Sequence, residues 1–137
     1  MTISTVSGSA GVGKTALAVH WAHRVRARFP DGDLYINLRG YDAVPPLTPQ
    51  EALDGFLRAL NVPPEKIPTD LPGRTALYRS LTNGRRMLVL LDNASTAEQV
   101  RPLLPASPTC MAIITSRDRL SGLAVRDGAI RAVLDVL

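Results

Sequence analysis

With 137 residues and 45% hydrophobic content, the chain is one domain's worth of sequence and enough to bury a sizeable core. Its single cysteine, Cys110, excludes an internal disulfide; no run approaches the roughly 18 apolar residues of a membrane span or has a signal-peptide layout, so a reducing, cytoplasmic location is expected. The net charge of +4 comes from fourteen arginines and two lysines scattered among twelve acids, a skew read as GC-rich coding rather than a basic surface, so neither membrane nor direct nucleic-acid binding is expected.

Residues 3–7 predict a short strand that delivers the chain into Gly8-Ser9-Ala10-Gly11-Val12-Gly13-Lys14-Thr15. This is G-x-x-x-x-G-K-T, a phosphate-binding loop in which glycines let successive N–H groups face phosphate oxygens while the following helix adds its dipole. Lys14 is expected to reach the β and γ phosphates and the Thr15 hydroxyl to bind Mg²⁺, with Gly8 through Ala16 contacting the nucleotide. The overlapping G-x-G-x-x-A of Gly11–Ala16 also fits a dinucleotide fold. Against it, Gly11 follows three loop residues and the second strand ends without an acid.

From Ala16 a helix is predicted with Leu17, Trp21, Val25 and Phe29 on its inner face, stopped by Pro30-Asp31-Gly32. His20 and His23 lie three apart with no acid nearby and read as surface residues rather than metal ligands. Asp33–Leu38 predicts the second strand. Thr48-Pro49-Gln50-Glu51 is a capping box opening a helix whose apolar face is Ala52, Leu53, Phe56, Leu57 and Leu60. A third helix is expected from Asp70 to Thr82, turning Leu71, Leu77, Tyr78 and Leu81 inward and ending at Asn83-Gly84.

Met87–Leu91 is continuously apolar, as a strand covered on both faces requires, and it ends abruptly at Asp92-Asn93. Ser95-Thr96-Ala97-Glu98 reads as a second capping box for a short helix curtailed by Pro102 and Pro105. Met111–Thr115 predicts another buried strand closed by Ser116-Arg117-Asp118, and Ile130–Leu134 a last one. Alternating strands and helices predict an α/β fold, a doubly wound parallel five-stranded sheet with helices on both faces and its ligand at the carboxyl ends of the strands.

Asp92, closing an apolar strand, is what Mg²⁺ needs opposite Thr15, although an Asp capping the next helix is a competing explanation. Asn93 stands where a carboxylate would orient and deprotonate the attacking water; an amide orients water without accepting its proton, so slow hydrolysis is expected. Arg117, just past its strand, is placed to read the γ phosphate, against the plainer reading of a surface arginine in a turn. Arg39 holds the equivalent place after the second strand, at an expected sheet edge.

GSAGVGKTALAVHWAHRV, DGDLYINLRGYD, RRMLVLLDNA, VRPLLP and IITSRDRL, in that order, resemble the NB-ARC domain of the STAND class of P-loop ATPases, as found in AfsR-like and SARP-type bacterial transcriptional regulators. The resemblance covers the whole chain. It implies Walker A at Gly8–Thr15, Walker B at Met87–Asp92 and a sensor 1 motif at Thr115-Ser116-Arg117. It further implies strand order 5-1-4-3-2, ATP or ADP with Mg²⁺, and a switch coupling nucleotide state to oligomerisation and transcription. Asn93 departs from the Asp-Asp of plant and animal relatives, which weakens the expectation of hydrolysis, not of binding. The family's adenine-contacting linker, nucleotide lid, DNA-binding and sensor domains have no counterpart in residues 1–137, so the chain reads as the nucleotide-binding core of a larger multidomain regulator, with those domains as partners and weakened affinity. An active ATPase or small-molecule phosphotransferase, and a nucleotide-independent interaction module, are the competing functions.

Overall fold

In the computed structural model, residues 2–7, 14–39, 45–116 and 130–135 are described here. Among these residues five strands form one sheet: β1 (Thr2–Ser7), β2 (Asp33–Asn37), β3 (Leu88–Ala94), β4 (Met111–Ser116) and β5 (Ile130–Asp135). All pairings are parallel and the spatial order is β2-β3-β4-β1-β5. The helices are α1 (Lys14–Val25), α2 (Pro49–Ala59), α3 (Leu71–Thr82) and the single turn α4 (Ala97–Val100).

Strand alternation divides the core in two. Leu88, Leu90, Met111 and Ile113 face Ala18 and Val25 of α1. Val89, Leu91, Ala112 and Ile114 point to the opposite face, against Leu53, Phe56 and Leu57 of α2 and Tyr78 of α3. Every residue from Met87 to Asp92 is buried because β3 carries helices on both sides, which is why its sequence does not alternate.

The α2 cap forms as its sequence requires: Glu51 N–H donates to Thr48 Oγ1 and Thr48 N–H to Glu51 Oε1, both at 3.2 Å. Asp70 caps α3 by accepting Gly73 N–H at 3.0 Å. Three expectations are corrected. Of the stripe expected for α1, Val25 is buried and Trp21 and Phe29 pack against the same core, but Ala18, fully buried, takes the place of Leu17, which is 36% exposed, because the face is set by contact with β3 and β4. The second capping box is displaced by one residue. Thr96, not Ser95, is the N-cap and accepts Gln99 N–H at 3.1 Å, while Gln99 Oε1 takes the Ser95 N–H at 2.8 Å. Lastly, β3 does not stop at Asp92: it runs on to Ala94 through a register shift against β4, with Asn93 at a left-handed φ of 61°. Asparagine tolerates that conformation better than most residues, so the bulge forms there.

Candidate functional site

Asp92 lies on the α1 face of β3, at the carboxyl-terminal end of the sheet, and is 4% exposed. Elements on three sides supply hydroxyls to its carboxylate. Thr15, in the first turn of α1, donates through Oγ1 to both oxygens, 3.0 Å from each. Tyr35 of β2 donates its phenol to Oδ2 at 3.0 Å, and Thr115 of β4 donates Oγ1 to Oδ1.

The sheet explains this convergence. Tyr35 stands beside Leu90 and Asn37 beside Asp92, so the Tyr35 ring spans the diagonal between adjacent strands on the α1 face. Thr115 is on the same face of β4, next to the bulge, and its Oγ1 also accepts the Asn93 N–H at 2.7 Å. One hydroxyl thus serves both the carboxylate and the bulged backbone beside it. Burial first, then the charge of Asp92 and the hydrogen bond to it, push the Tyr35 phenol above its ordinary value of 10.0.

Around this centre the backbone is tied down. Leu38 N–H donates to Asp92 O at 2.7 Å, extending the β2–β3 pairing by one residue. The buried amide of Gln99 donates to Leu38 O at 3.1 Å and to Leu47 O at 2.8 Å, and accepts from Ser95 N–H and Oγ. Ser116 Oγ donates to Ala94 O at 2.9 Å across the bulge.

Of the residues expected to form a site, Thr15 and Asp92 are in direct contact, and Asn93 is adjacent with its N–H held by Thr115. Lys14 is the first residue of α1, and Ala16 is exposed in its first turn. Gly8, Ser9, Ala10, Gly11, Val12, Gly13 and Arg117 lie outside the described residues. Ser7 and Ser116, which immediately precede these two segments in the chain, are register partners on neighbouring strands. Arg39 follows the edge strand β2 at a left-handed φ of 53°, its N–H on Asn37 Oδ1 at 2.9 Å. His20 and His23 are exposed on α1.

Sequence reasoning gave Tyr35 and Gln99 no role. Tyr35 carried a usable signal, since it is the one polar aromatic side chain in β2 and shares a face with the position paired to Asp92. Gln99 carried the Q variant of a capping box three residues after Thr96.

No family model matches the chain. Regulatory protein AfsR of Streptomyces coelicolor is 53% identical over all 137 residues, and regulatory protein AfsR of Streptomyces griseus 52% identical over the same span. The chain's homologues are AfsR regulatory proteins. It spans 13% of the length of the first and 14% of the second. Among solved structures, the ORC1 protein of Aeropyrum pernix in complex with DNA matches 99% of this chain and 39% of its own, with a TM-score of 0.60 and 15% identity. That likeness shows a shared α/β fold. No helix among the described residues is long and apolar enough to cross a membrane.

Proposed function

We propose that the chain is an ATP/ADP-binding switch core of a regulatory protein, holding nucleotide with Mg²⁺ and hydrolysing it slowly. The observation that carries this reading is the contact between the Thr15 hydroxyl and the buried carboxylate of Asp92. Those two residues are 77 positions apart, and the phosphate loop's threonine and the strand-end aspartate are each expected to serve one cation.

The donor set fits Mg²⁺. A hydroxyl that donates its hydrogen to a carboxylate keeps two lone pairs, so Thr15 can serve Asp92 and a cation together. Mg²⁺ takes oxygen ligands and keeps few from protein, filling the rest with phosphate and water. Among the described residues no group of three or more His, Cys, Asp or Glu could form a protein-only metal cage, so the chemistry favours an ion that arrives with its phosphates. Held by Thr15 and Asp92, such an ion would supply charge neutralisation to the phosphates.

The chain's own residues divide the remaining work. By their motif, Gly8 through Ala16 would offer backbone N–H groups to the phosphates, and Lys14 would bring a positive charge to the β and γ phosphates. Arg117 reads the γ phosphate. Asn93 contributes an amide where hydrolysis needs a base, so the ATP state persists and the protein signals by holding rather than cleaving. Because the homologues are longer regulatory proteins, nucleotide state is passed to neighbouring domains and, through oligomerisation, to transcription.

Calorimetric titration of Mg-ATP and Mg-ADP into the protein and into Lys14→Ala tests this. Saturable binding by the wild type, weakened at least about tenfold in the variant, is expected from the loss of a charge-assisted phosphate contact. Equal binding by both proteins, or none by the wild type, refutes it.

A further inference from the structure

Among the described residues, three hydroxyls hold the Asp92 carboxylate, and of these Thr15 belongs to the phosphate-loop motif. A terminal carboxylate torsion is broad and roughly two-fold, so an unrestrained Asp side chain samples many planes. Here Thr115 takes Oδ1 from β4 and Tyr35 takes Oδ2 from β2, one oxygen each from the two strands flanking β3. The carboxylate cannot turn about χ2 without breaking one of those bonds. Thr15 then meets both oxygens at the same distance, 3.0 Å.

Resting on the nucleotide reading above, we propose that Tyr35 is a positioning residue for the cation site: its phenol fixes the plane of the Asp92 carboxylate so that Asp92 and Thr15 present their oxygens to Mg²⁺ together. Tyr35 touches neither nucleotide nor cation in this role and acts only through Asp92. Outer partners that orient a ligating side chain strengthen metal binding by limiting the arrangements the ligand must give up.

The placement on β2 gives the bond a second consequence. Among the described residues β2 is an edge strand whose ladder is made with β3 alone, so a shift of β2 relative to β3 changes the length of the Tyr35–Asp92 bond. Cation binding and the seating of the edge strand are therefore linked through one hydroxyl.

Tyr35→Phe removes that hydroxyl cleanly. The residue is 55% exposed, so the ring keeps its place without leaving a cavity, and Asp92 Oδ2 retains Thr15 as a donor. The test measures Mn²⁺ binding in the presence of ADP by electron paramagnetic resonance of the free ion, ADP affinity in EDTA, and the thermal midpoint without either ligand. For Tyr35→Phe, half-saturating Mn²⁺ rises about tenfold, the low end for loss of an outer partner. ADP affinity in EDTA and the ligand-free midpoint stay at wild-type values. Unchanged Mn²⁺ dependence in the variant, with the wild type binding Mn-ADP normally, overturns the Tyr35 assignment and leaves the nucleotide reading standing. A loss of ADP affinity in EDTA equal to that in Mn²⁺ also overturns it, because the hydroxyl would then serve the fold and not the cation. Failure of the wild type to bind ADP with or without Mn²⁺ overturns the nucleotide reading and the assignment with it.

Discussion

Thr115 Oγ1 accepts the backbone N–H of Asn93 at 2.7 Å while donating its own hydrogen to Asp92. Through this one atom, β4 holds both the carboxylate and the bulge that follows it. Thr115 is 1% exposed, so no water substitutes for it. Thr115→Val keeps the shape but removes the acceptor of the Asn93 N–H and a donor to Asp92, which destabilises the fold by about 2 kcal/mol. Thr115→Ser restores both hydrogen bonds and loses only a methyl group. Urea unfolding of the two variants checks this; equal stability of Val and Ser at this position contradicts it.

Tyr78 makes a comparable anchor in the other core. Its ring stacks on Phe56 with centroids 5.7 Å apart, and its hydroxyl donates to Leu103 O at 2.7 Å. Burial pushes the phenol far above its ordinary value of 10.0. A raised folded value means the stabilisation is complete below the unfolded value and is lost as pH rises beyond it, since only the unfolded chain then releases its proton. Tyr78→Phe is expected to lower stability by about 1 kcal/mol at neutral pH, from the orphaned carbonyl. It is also expected to flatten the alkaline limb above pH 10, read from thermal midpoints across pH.

Glu51 titrates in the opposite sense. The hydrogen bonds from the Thr48 backbone and hydroxyl hold its carboxyl below the ordinary value of 4.5. Stability from the α2 cap is thus present above 4.5 and lost as pH falls through the lower folded value. Glu51→Gln keeps an acceptor for Thr48 and cannot titrate, so its midpoint falls less steeply below pH 4.5 than that of the wild type. Parallel acid limbs for the two proteins would count against the capping box as a source of acid lability.

These features differ in how openly the sequence carried them. The continuous burial of Met87–Leu91 and the Thr48 box are local patterns, fixed by residues within one turn or one strand, and both were legible. On α1 the Val25 side was legible but the burial of Ala18 in place of Leu17 was not, since periodicity gives the width of a helix stripe and contact with β3 and β4 sets its edge. The box that moved from Ser95 to Thr96 shows two adjacent hydroxyl residues competing for one cap, decided by Gln99 reaching Leu38 and Leu47. The Thr15–Asp92 pair was legible because the phosphate loop names Thr15 and an acid closing a continuously apolar strand points to Asp92. Tyr35 was not, because its bond to Asp92 depends on the β2–β3 register, which no local pattern states.

Asn93 sits at a left-handed φ that aspartate also tolerates, so Asn93→Asp is expected to fold and to supply the missing base. General-base assistance is worth about 10²-fold or more in rate. The variant is expected to release phosphate from ATP at least roughly tenfold faster than the slow wild type, allowing for imperfect placement. Fast wild-type turnover that Asp92→Ala abolishes contradicts the holding mechanism and identifies a working ATPase.

Thr15 and Asp92 are predicted to form one cation site with bound nucleotide. The most direct measurement is ADP affinity in excess Mg²⁺ and in EDTA, for the wild type and for Asp92→Asn. The wild type is predicted to bind ADP at least about tenfold more tightly with Mg²⁺, and Asp92→Asn to bind it equally in both conditions, as expected when the carboxylate ligand of the ion is removed. A wild-type affinity indifferent to Mg²⁺, or a Mg²⁺ effect that survives in Asp92→Asn, contradicts the claim.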